Sequence, residues 1–322
     1  MDAFSDALRS MHVAGQIVLA ERYAPPWAIR IPDGAALKRR MALDAQTAAA
    51  PFHIAKRGGF RLTRANGDEI EINAGEAVIC LDGAQHVMAR ETASGGAAEV
   101  VLFEDILDGA AAPADQPEAP DATELVCGVF ALRRAERNPL FSALPPMVKL
   151  GVLGDGANRS LSGIAELLTL EAQAPRRGED FVASRLVQLF CAEALRAFVE
   201  TAGDDAGRWV RGLTHPKIGA ALNALHGAPA AAHSVASLAA GVGMSPSRFA
   251  AVFTKVMGAA PMRYLQSLRL EAAAALLEES DLSIDEIAAE SGYGSLAAFS
   301  RAYKAQTGLA PGQARRAARA DR

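Results

Sequence analysis

The segment Ser234–Gly243 reads SVASLAAGVG and the segment Ser283–Gly292 reads SIDEIAAESG, so one pattern occurs twice at an offset of 49 residues. A second segment follows each terminal glycine, and its residues repeat at an offset of 50. The repeated pairs are Ser245 and Ser295, Phe249 and Phe299, Phe253 and Tyr303, Gly258 and Gly308, and Pro261 and Pro311. This internal similarity predicts one supersecondary unit that is built twice.

Each copy predicts a short helix, a glycine turn and a second helix. In the first copy, Ser234 is a candidate N-cap and Gly243 marks the turn. Ser245 and Pro246 suit the start of the second helix, and Gly258 suits its end. Two helices joined by such a turn are typical of a helix-turn-helix, whose second helix enters the major groove of DNA.

Helical periodicity separates an apolar face from an outward face in each second helix. In the first copy the outward residues are Ser247, Ala250, Ala251, Thr254 and Lys255. In the second copy they are Leu296, Ala297, Ser300, Arg301 and Lys304. Neither set contains an acid, so both faces suit contact with a polyanion.

Between the copies, Pro261–Glu279 has leucines along one side and predicts a single helix. At 1.5 Å per residue, a helix of about 19 residues spans about 28 Å. Successive major grooves on one face of B-DNA lie roughly 34 Å apart, so this helix suits a spacer between two recognition helices. The alternative is a helical protein-interaction repeat, which the caps and turn glycines present in both copies disfavour.

Three segments of this region resemble the C-terminal module of AraC/XylS-type transcription regulators: Gly243–Phe249, Gly292–Lys304 and Thr307–Pro311. The resemblance implies that the protein binds double-stranded promoter DNA and acts with RNA polymerase. It also implies a set of DNA-contacting residues, namely Ser245, Ser247, Arg248, Ala250, Ala251, Lys255, Ser295, Leu296, Ala297, Ser300, Arg301 and Lys304.

The first recognition face has alanines at positions 250 and 251, where members of the family often have a long polar side chain. We therefore expect direct readout to depend mainly on Arg301 and on DNA shape.

Length and composition indicate a globular protein of two domains, with 322 residues and half of them apolar. Residues 215–322 contain 11 basic and 8 acidic residues, whereas residues 1–214 contain 22 and 29. This asymmetry favours nucleic-acid contact by the C-terminal part. The chain has no run of about 18 apolar residues and no signal-peptide pattern at its start, so we expect a cytoplasmic protein without membrane contact.

Residues 15–135 show the alternation of short strands. Phe60–Arg64 and Ile70–Ile72 flank Asn66-Gly67, which predicts a hairpin closed by a type I′ turn. Further strands are predicted at Ile17–Leu19, Ala77–Leu81, Val100–Phe103 and Leu125–Leu132. Many short antiparallel strands are typical of a small barrel or a jelly roll. The predicted fold class is α+β, with an N-terminal antiparallel β-barrel (cupin-like), a helical connector and an all-α C-terminal domain containing two helix-turn-helix units.

The predicted domains are a cupin-like sensor at 1–150, a helical connector at 151–212 and a double helix-turn-helix domain at 213–322. In the connector, Ser162–Glu171 and Phe181–Glu200 have helical periodicity. The longer helix suits a homodimer contact, and packing against the barrel is an equal alternative.

A second resemblance concerns the N-terminal region. Gly75-Glu76, Gly83 and His86 resemble the second cupin motif, and Phe52-His53 with Gly58 resembles a remnant of the first. A more particular resemblance is carried by Met1-Asp2-Ala3, Ala24–Arg30, Phe52-His53, His86 and Cys127-Gly128. They resemble the cupin-type, RclR-like sensor domain of a branch of AraC regulators, which implies that the barrel senses a small effector, a metal or an oxidant.

His53, His86 and Cys127 fall on predicted strands and are candidate ligands for an effector or a metal ion such as Zn²⁺ or copper. The alternative is that they are core residues. Cys80 and Cys191 are predicted to be structural. No cofactor is predicted beyond this candidate metal ion.

The rival function is a cupin-type metal-dependent enzyme. Pro51 replaces the first histidine of the usual cupin metal set, and Lys56 or Arg57 replaces its glutamate. We therefore predict a regulator and not an enzyme.

Overall fold

The computed structural model describes residues 2–44, 46–92, 95–96, 98–109, 119–133, 135, 138–154, 158–173, 177–201 and 207–320. The chain divides into two compact units. The β unit is Leu8–Ala206, and the helical unit is Gly207–Arg322 together with Met1–Ala7. Among the described residues, no helix is long and apolar enough to cross a membrane.

Ten strands are formed by the described part of the β unit. They are β1 (Val13–Tyr23), β2 (Trp27–Ile31), β3 (Thr47–Arg57), β4 (Phe60–Arg64), β5 (Glu69–Ile72), β6 (Glu76–Cys80), β7 (His86–Arg90), β8 (Val100–Leu102), β9 (Thr123–Arg133) and β10 (Met147–Gly151). The first helices of the chain are α1 (Ala3–Ser10), α2 (Gly34–Arg40), α3 (Phe103–Leu107), α4 (Pro139–Ala143), α5 (Arg159–Gln173) and α6 (Glu179–Thr201).

The strands form two five-stranded sheets, in the orders β1-β9-β3-β6-β10 and β5-β4-β7-β2-β8. The first sheet is antiparallel throughout, and the second has a parallel pair, β2 with β8. Side chains from both sheets share one apolar core, so the sheets face each other. Its members include Trp27, Ile29, Phe60, Leu62, Val78, Cys80, Leu125 and Cys127.

The β region is thus two cupin-like sheets, and its described strands do not form the predicted closed barrel. A barrel needs a hydrogen-bonded ladder that returns to its first strand. Here each sheet ends in edge strands, and the edge strand β1 is packed against α5 and α6. These two helices, predicted as a separate connector, lie within the β unit.

The predicted hairpin is present as β4 and β5, but its turn differs from the prediction. The backbone N–H of Arg64 donates to the carbonyl of Asp68, and that of Gly67 donates to the carbonyl of Arg64. Gly67 has φ +89°, whereas Asn66 lacks the positive φ that a type I′ turn requires. The loop therefore has three residues and ends in a left-handed glycine, so the type I′ prediction is wrong.

The helical unit contains eight further helices among its described residues. They are α7 (Arg208–Thr214), α8 (Pro216–Gly227), α9 (Val235–Gly241), α10 (Pro246–Met257), α11 (Pro261–Glu279), α12 (Ile284–Glu290), α13 (Leu296–Thr307) and α14 (Pro311–Ala320). Helices α9 and α10 form the first helix-turn-helix, and α12 and α13 form the second.

Both copies use the same local devices to start their first helix. Ser234 caps α9 and forms a capping box with Ser237, while Ser283 caps α12 and forms a capping box with Glu286. Each cap satisfies backbone N–H groups that would otherwise have no intrahelical partner. The internal repeat in the sequence therefore corresponds to a repeat in structure.

Candidate nucleic-acid interface and a buried histidine and cysteine cluster

Helices α10 and α13 begin and end at the predicted residues. The Ser245 hydroxyl accepts the backbone N–H of Arg248, and the Ser295 hydroxyl accepts that of Ala298. At the other ends, Gly258 and its equivalent Gly308 adopt left-handed conformations with φ +76° and +80°. A left-handed glycine ends a helix without a Cβ penalty, so both helices have a fixed length of 12 residues.

The apolar side of each of these helices is buried. Phe249 and Phe253 anchor α10, and Phe299 and Tyr303 anchor α13. Burial of large aromatic residues fixes the rotation of each helix about its own axis. The opposite sides of α10 and α13 are left at the surface.

Most predicted DNA-contacting side chains are exposed on these two surfaces. The exposed ones are Ser245, Ser247, Arg248, Ala251, Lys255, Ser295, Leu296, Ala297, Arg301 and Lys304. Ala250 and Ser300 are half-buried, so they offer less of their surface to a ligand. We call α10 and α13, with these residues, the two recognition faces.

Arg269, on α11, is a positioning residue that the sequence reading missed. Its guanidinium donates to the carbonyls of Pro229 and Ala231 before α9, and to that of Gly292 in the turn after α12. One side chain on the spacer helix therefore binds backbone next to both helix-turn-helix units. The sequence offered no signal for this role, because Arg263, Gln266 and Glu271 are polar residues of the same helix.

A partly buried set of hydrogen bonds contacts α11 near its N-terminal end, through Tyr264. His226 Nδ1 donates to Asp6 Oδ2 at 2.7 Å, and its Nε2 accepts the hydroxyl proton of Tyr264 at 2.7 Å. The same hydroxyl accepts the indole N–H of Trp209 at 3.0 Å. These hydrogen bonds join α1, α7, α8 and α11. Sequence periodicity gave no sign of them because the four residues are far apart in the sequence.

In the β unit, His53 on β3 and His86 at the start of β7 come together. Their Nε2 atoms are 2.9 Å apart, and His86 Nε2 lies 3.9 Å from Cys80 Sγ at the end of β6. All three side chains are buried, and their ligand atoms lie within 4.8 Å of one another. We call these three residues the His–Cys cluster.

Burial sets the protonation states of the cluster. Desolvation lowers the pKa of His53 well below its usual value and lowers that of His86, so both imidazoles are neutral near pH 7. Desolvation raises the pKa of Cys80 to about 12, with a further contribution from the Asp82 carboxylate. The free Cys80 side chain is therefore a thiol.

Cys127 faces the same core but does not belong to this cluster among the described residues. It lies opposite His53 in the β3–β9 register. Burial raises its pKa, so the lowered pKa that reaction with an oxidant would need is not present. Cys191, on α6, is buried as well, and burial raises its pKa to about 12.

The β unit also contains a cavity of about 330 Å³, between β1, α2 and α3. Its walls are mainly apolar, with two polar side chains, Gln16 and Arg40. Arg40 forms an ion pair with Asp108. The apolar lining residues are Ile17, Val18, Leu37, Met41, Phe103, Leu107 and Val129.

Two protein-family models match separate parts of the chain, one mainly in the β unit and one in the helical unit. A family model described as Cupin matches residues 2–200, which is more than half of the chain. A model described as Helix-turn-helix domain matches residues 238–317. The second match contains α10, α11, α12 and α13, and thus both recognition faces.

Three curated relatives are transcription regulators by name. The HTH-type transcriptional regulator AlkR of Acinetobacter baylyi is 34% identical over 176 residues, which cover 54% of this chain and 57% of AlkR. A putative AraC-like transcription regulator of Streptomyces antibioticus is 32% identical over 199 residues, covering 61% and 64% of the two chains. The RCS-specific HTH-type transcriptional activator RclR of Escherichia coli is 29% identical over 196 residues, which cover 61% of this chain and 68% of RclR. The matches to AlkR and to the Streptomyces antibioticus regulator span less than two thirds of those relatives.

Proposed function

Because the chain belongs to the AraC-type transcription regulators that carry an N-terminal cupin domain, we propose that it is a sequence-specific DNA-binding regulator controlled by an effector in its β unit. One observation carries the proposal. Two capped helices of equal length expose faces without acidic residues, and the continuous helix α11 connects the two helix-turn-helix units to which they belong. Such faces suit two successive major grooves of promoter DNA.

The two recognition faces have different roles in this proposal. Arg301 is long enough to donate two hydrogen bonds to a guanine edge, which is the commonest specific contact. Lys255 and Lys304 bind phosphates, which adds affinity but no sequence information. Ala251 and Ala297 offer methyl groups to thymine, so the first face depends more on apolar contact and DNA shape.

The proposed partners follow from this function. The regulator binds double-stranded promoter DNA in the cytoplasm and changes the activity of RNA polymerase there. The effector is a small molecule, a metal or an oxidant. The rival function, a cupin-type metal-dependent enzyme, is disfavoured for two reasons. Pro51, and Lys56 or Arg57, stand where the cupin resemblance implies metal ligands, and the named relatives are regulators.

The cavity between β1, α2 and α3 is the second candidate effector site. Its mainly apolar walls suit an organic molecule, and Arg40 offers a cation for an acidic group if the ligand displaces Asp108. A thermal-shift screen with organic acids tests this candidate, with Arg40→Gln as the variant that should lose the shift.

We further propose that α6 forms a homodimer contact with a second copy of the chain. Val187, Phe190 and Ala194 are buried on one side of this helix, whereas Val182 and Leu189 are exposed on the opposite side. A helix that is apolar on both sides needs a partner for each side. Leu189→Lys should therefore lower the mass measured by analytical ultracentrifugation from dimer to monomer, and an unchanged dimer would contradict this contact.

The regulator function is tested by fluorescence anisotropy with DNA from the protein's own promoter region. We expect binding that weakens steeply as salt rises, because lysine and arginine contacts release counterions from DNA. We also expect specific DNA to compete better than random DNA of equal length. Equal competition by both would contradict sequence-specific binding.

A further inference from the structure

We propose that His53, Cys80 and His86 bind one Cu(I) ion and that this ion is the effector of the β unit. The assignment of the effector role depends on the regulator function proposed above, whereas the metal site itself does not. The site replaces the Cys127-based set that the sequence suggested, because the chain places Cys80 beside the imidazole pair.

The hydrogen bonds of the cluster direct one imidazole lone pair toward its centre. His86 Nδ1 donates to the carbonyl of Ala84 at 2.9 Å, which makes its Nε2 an unprotonated acceptor directed toward His53 and Cys80. His53 Nε2 must then donate to it, and the buried Nδ1 of His53 has no hydrogen-bond partner among the described residues. An ion bound through Nε2 leaves the proton of His53 on this Nδ1, so the site is supported by the proximity of the three ligand atoms and not by Nδ1.

The spacing of the ligand atoms is near that of a three-coordinate site. With metal–nitrogen bonds of about 2.0 Å and a metal–sulfur bond of about 2.3 Å, a trigonal ion holds its nitrogens roughly 3.5 Å apart and nitrogen and sulfur roughly 3.7 Å apart. The Cys80–His86 separation of 3.9 Å is already close to this value. The two Nε2 atoms, now 2.9 Å apart, need to separate by only about 0.6 Å.

The ligand types select a soft cation. Two neutral imidazoles and one thiolate suit copper and zinc, whereas carboxylate oxygens, which hard cations prefer, are absent from this group of described residues. Thiolate ligands suit both Cu(I) and zinc, so the choice between these two ions needs a further argument.

Charge balance distinguishes Cu(I) from Zn²⁺. A monovalent ion with one thiolate gives a neutral site, whereas Zn²⁺ with one thiolate leaves a net positive charge in the shared core of the two sheets. Structural zinc also takes four ligands, and the described residues bring three together here. The nearby ion pair of Arg64 with Asp82 is itself neutral and does not change this balance.

Binding requires two proton movements. The Cys80 thiol releases its proton to solvent when sulfur bonds to the ion. His53 shifts its proton from Nε2 to Nδ1, so that Nε2 provides the lone pair. No electron transfer is involved, since the ion enters as Cu(I) and remains Cu(I).

The experiment is an anaerobic titration of the full chain with Cu(I) in competition with a chromophoric Cu(I) chelator. We expect one ion per chain, and X-ray absorption of the complex should report one sulfur and two nitrogen neighbours. Cys80→Ser and His86→Gln should each lose more than about 100-fold in affinity, beyond the cost of losing an outer-sphere partner. Cys127→Ser is the matched control, a buried cysteine of the same core, and should retain the affinity.

Several results would overturn the assignment of the site. If Cys80→Ser and His86→Gln, both shown to be folded by circular dichroism, bind Cu(I) with wild-type affinity, these residues do not form the site. Loss of binding in Cys127→Ser with retention in Cys80→Ser would move it to the other cysteine. Tighter binding of Zn²⁺ than of Cu(I) by the wild-type chain, with the Zn²⁺ affinity lost in the same variants, would overturn the choice of ion.

A second measurement tests the effector role separately. The affinity of the full chain for its promoter DNA should change by at least about 5-fold between the metal-free and the Cu(I)-loaded protein, the lower end of typical allosteric coupling. Cu(I) binding without any change in DNA affinity would overturn the effector role. Failure of both forms to bind DNA would contradict the regulator function while leaving the metal titration valid.

Discussion

At the scale of single residues, Arg301 is the most informative side chain of the recognition faces. It is exposed on α13, close to Lys304 and without an acid on the same face. Arg301→Ala should weaken specific DNA binding by about 1–3 kcal/mol if the guanidinium contacts a guanine through two bonds. Fluorescence anisotropy with specific and random DNA measures the effect.

The matched control for this variant is Arg61→Ala, which removes an equal charge from an exposed arginine of β4. This variant should leave specific binding nearly unchanged. Equal binding by Arg301→Ala and wild type would show that the assignment of α13 as a base-reading helix is wrong.

The Tyr264 hydroxyl forms two hydrogen bonds, so removing this hydroxyl leaves two buried groups without that partner. Trp209 and His226, its partners, are both buried. Tyr264→Phe should therefore cost about 1–3 kcal/mol of local stability. Hydrogen exchange measured by mass spectrometry should be faster in α7, α8 and α11, and unchanged exchange there would contradict the role of these hydrogen bonds.

The positions of the exposed side chains could be predicted because helical periodicity determines which residues share a face. Cys80 could not be recognised in this way as a member of the His–Cys cluster. Strand alternation places Cys80 and Val78 on one face of β6, but only the order β9-β3-β6 of the sheet brings that face beside His53. Sheet order depends on contacts between distant segments, which no local pattern contains.

At the scale of the elements, α11 connects the two helix-turn-helix units. Leu270, Ala273 and Leu277 are buried on α11 and pack in one core with Phe299 of α13. Helix α11 has the 19 residues that the sequence predicted, because Pro261 starts it and the leucine pattern continues to Glu279. Its rigidity therefore determines the distance between the recognition faces.

Ala273→Pro should abolish high-affinity DNA binding. Proline removes a hydrogen bond in mid-helix and clashes with the preceding turn, at a cost of roughly 3 kcal/mol or more. The β unit should stay folded, which β-sheet circular dichroism can verify. High-affinity binding by this variant would show that the two units read DNA independently.

Glu124 joins four elements of the β unit. Its carboxylate, on β9, forms ion pairs with Arg22 of β1 and Lys56 of β3, and it accepts a hydrogen bond from Gln173 of α5. Burial alone would raise its pKa, but the hydrogen bonds from Lys56 and Gln173 outweigh burial and the pKa is lowered. The ionised form is therefore the one that stabilises the fold.

Glu124→Gln should lower the free energy of unfolding at pH 7 by about 1.5–3 kcal/mol, the range for hydrogen bonds to a charged group. The stabilisation by Glu124 is complete above the ordinary pKa of 4.5 and is lost as pH falls through the lowered pKa of the folded state. Urea unfolding at several pH values measures this. The difference from wild type should shrink in acid, and the exposed Glu21→Gln serves as control.

At the scale of the whole molecule, two units of different construction lie in one chain. The repeat of the helical unit was visible in the sequence because caps, turn glycines and aromatic anchors recur at fixed offsets. The arrangement of the β unit was less predictable. Its strands were recognisable, but their division into two sheets and the packing of α5 and α6 against β1 depend on long-range pairing.

The central claim is that both recognition faces contact DNA at the same time, one helical turn apart. In vitro selection of random DNA by the full chain tests it most directly. The selected sequences should contain two conserved blocks whose centres lie about 10 bp apart, and Arg301→Ala should erase one block and keep the other. A single conserved block in the wild-type selection, or two blocks that both survive in Arg301→Ala, would contradict this account.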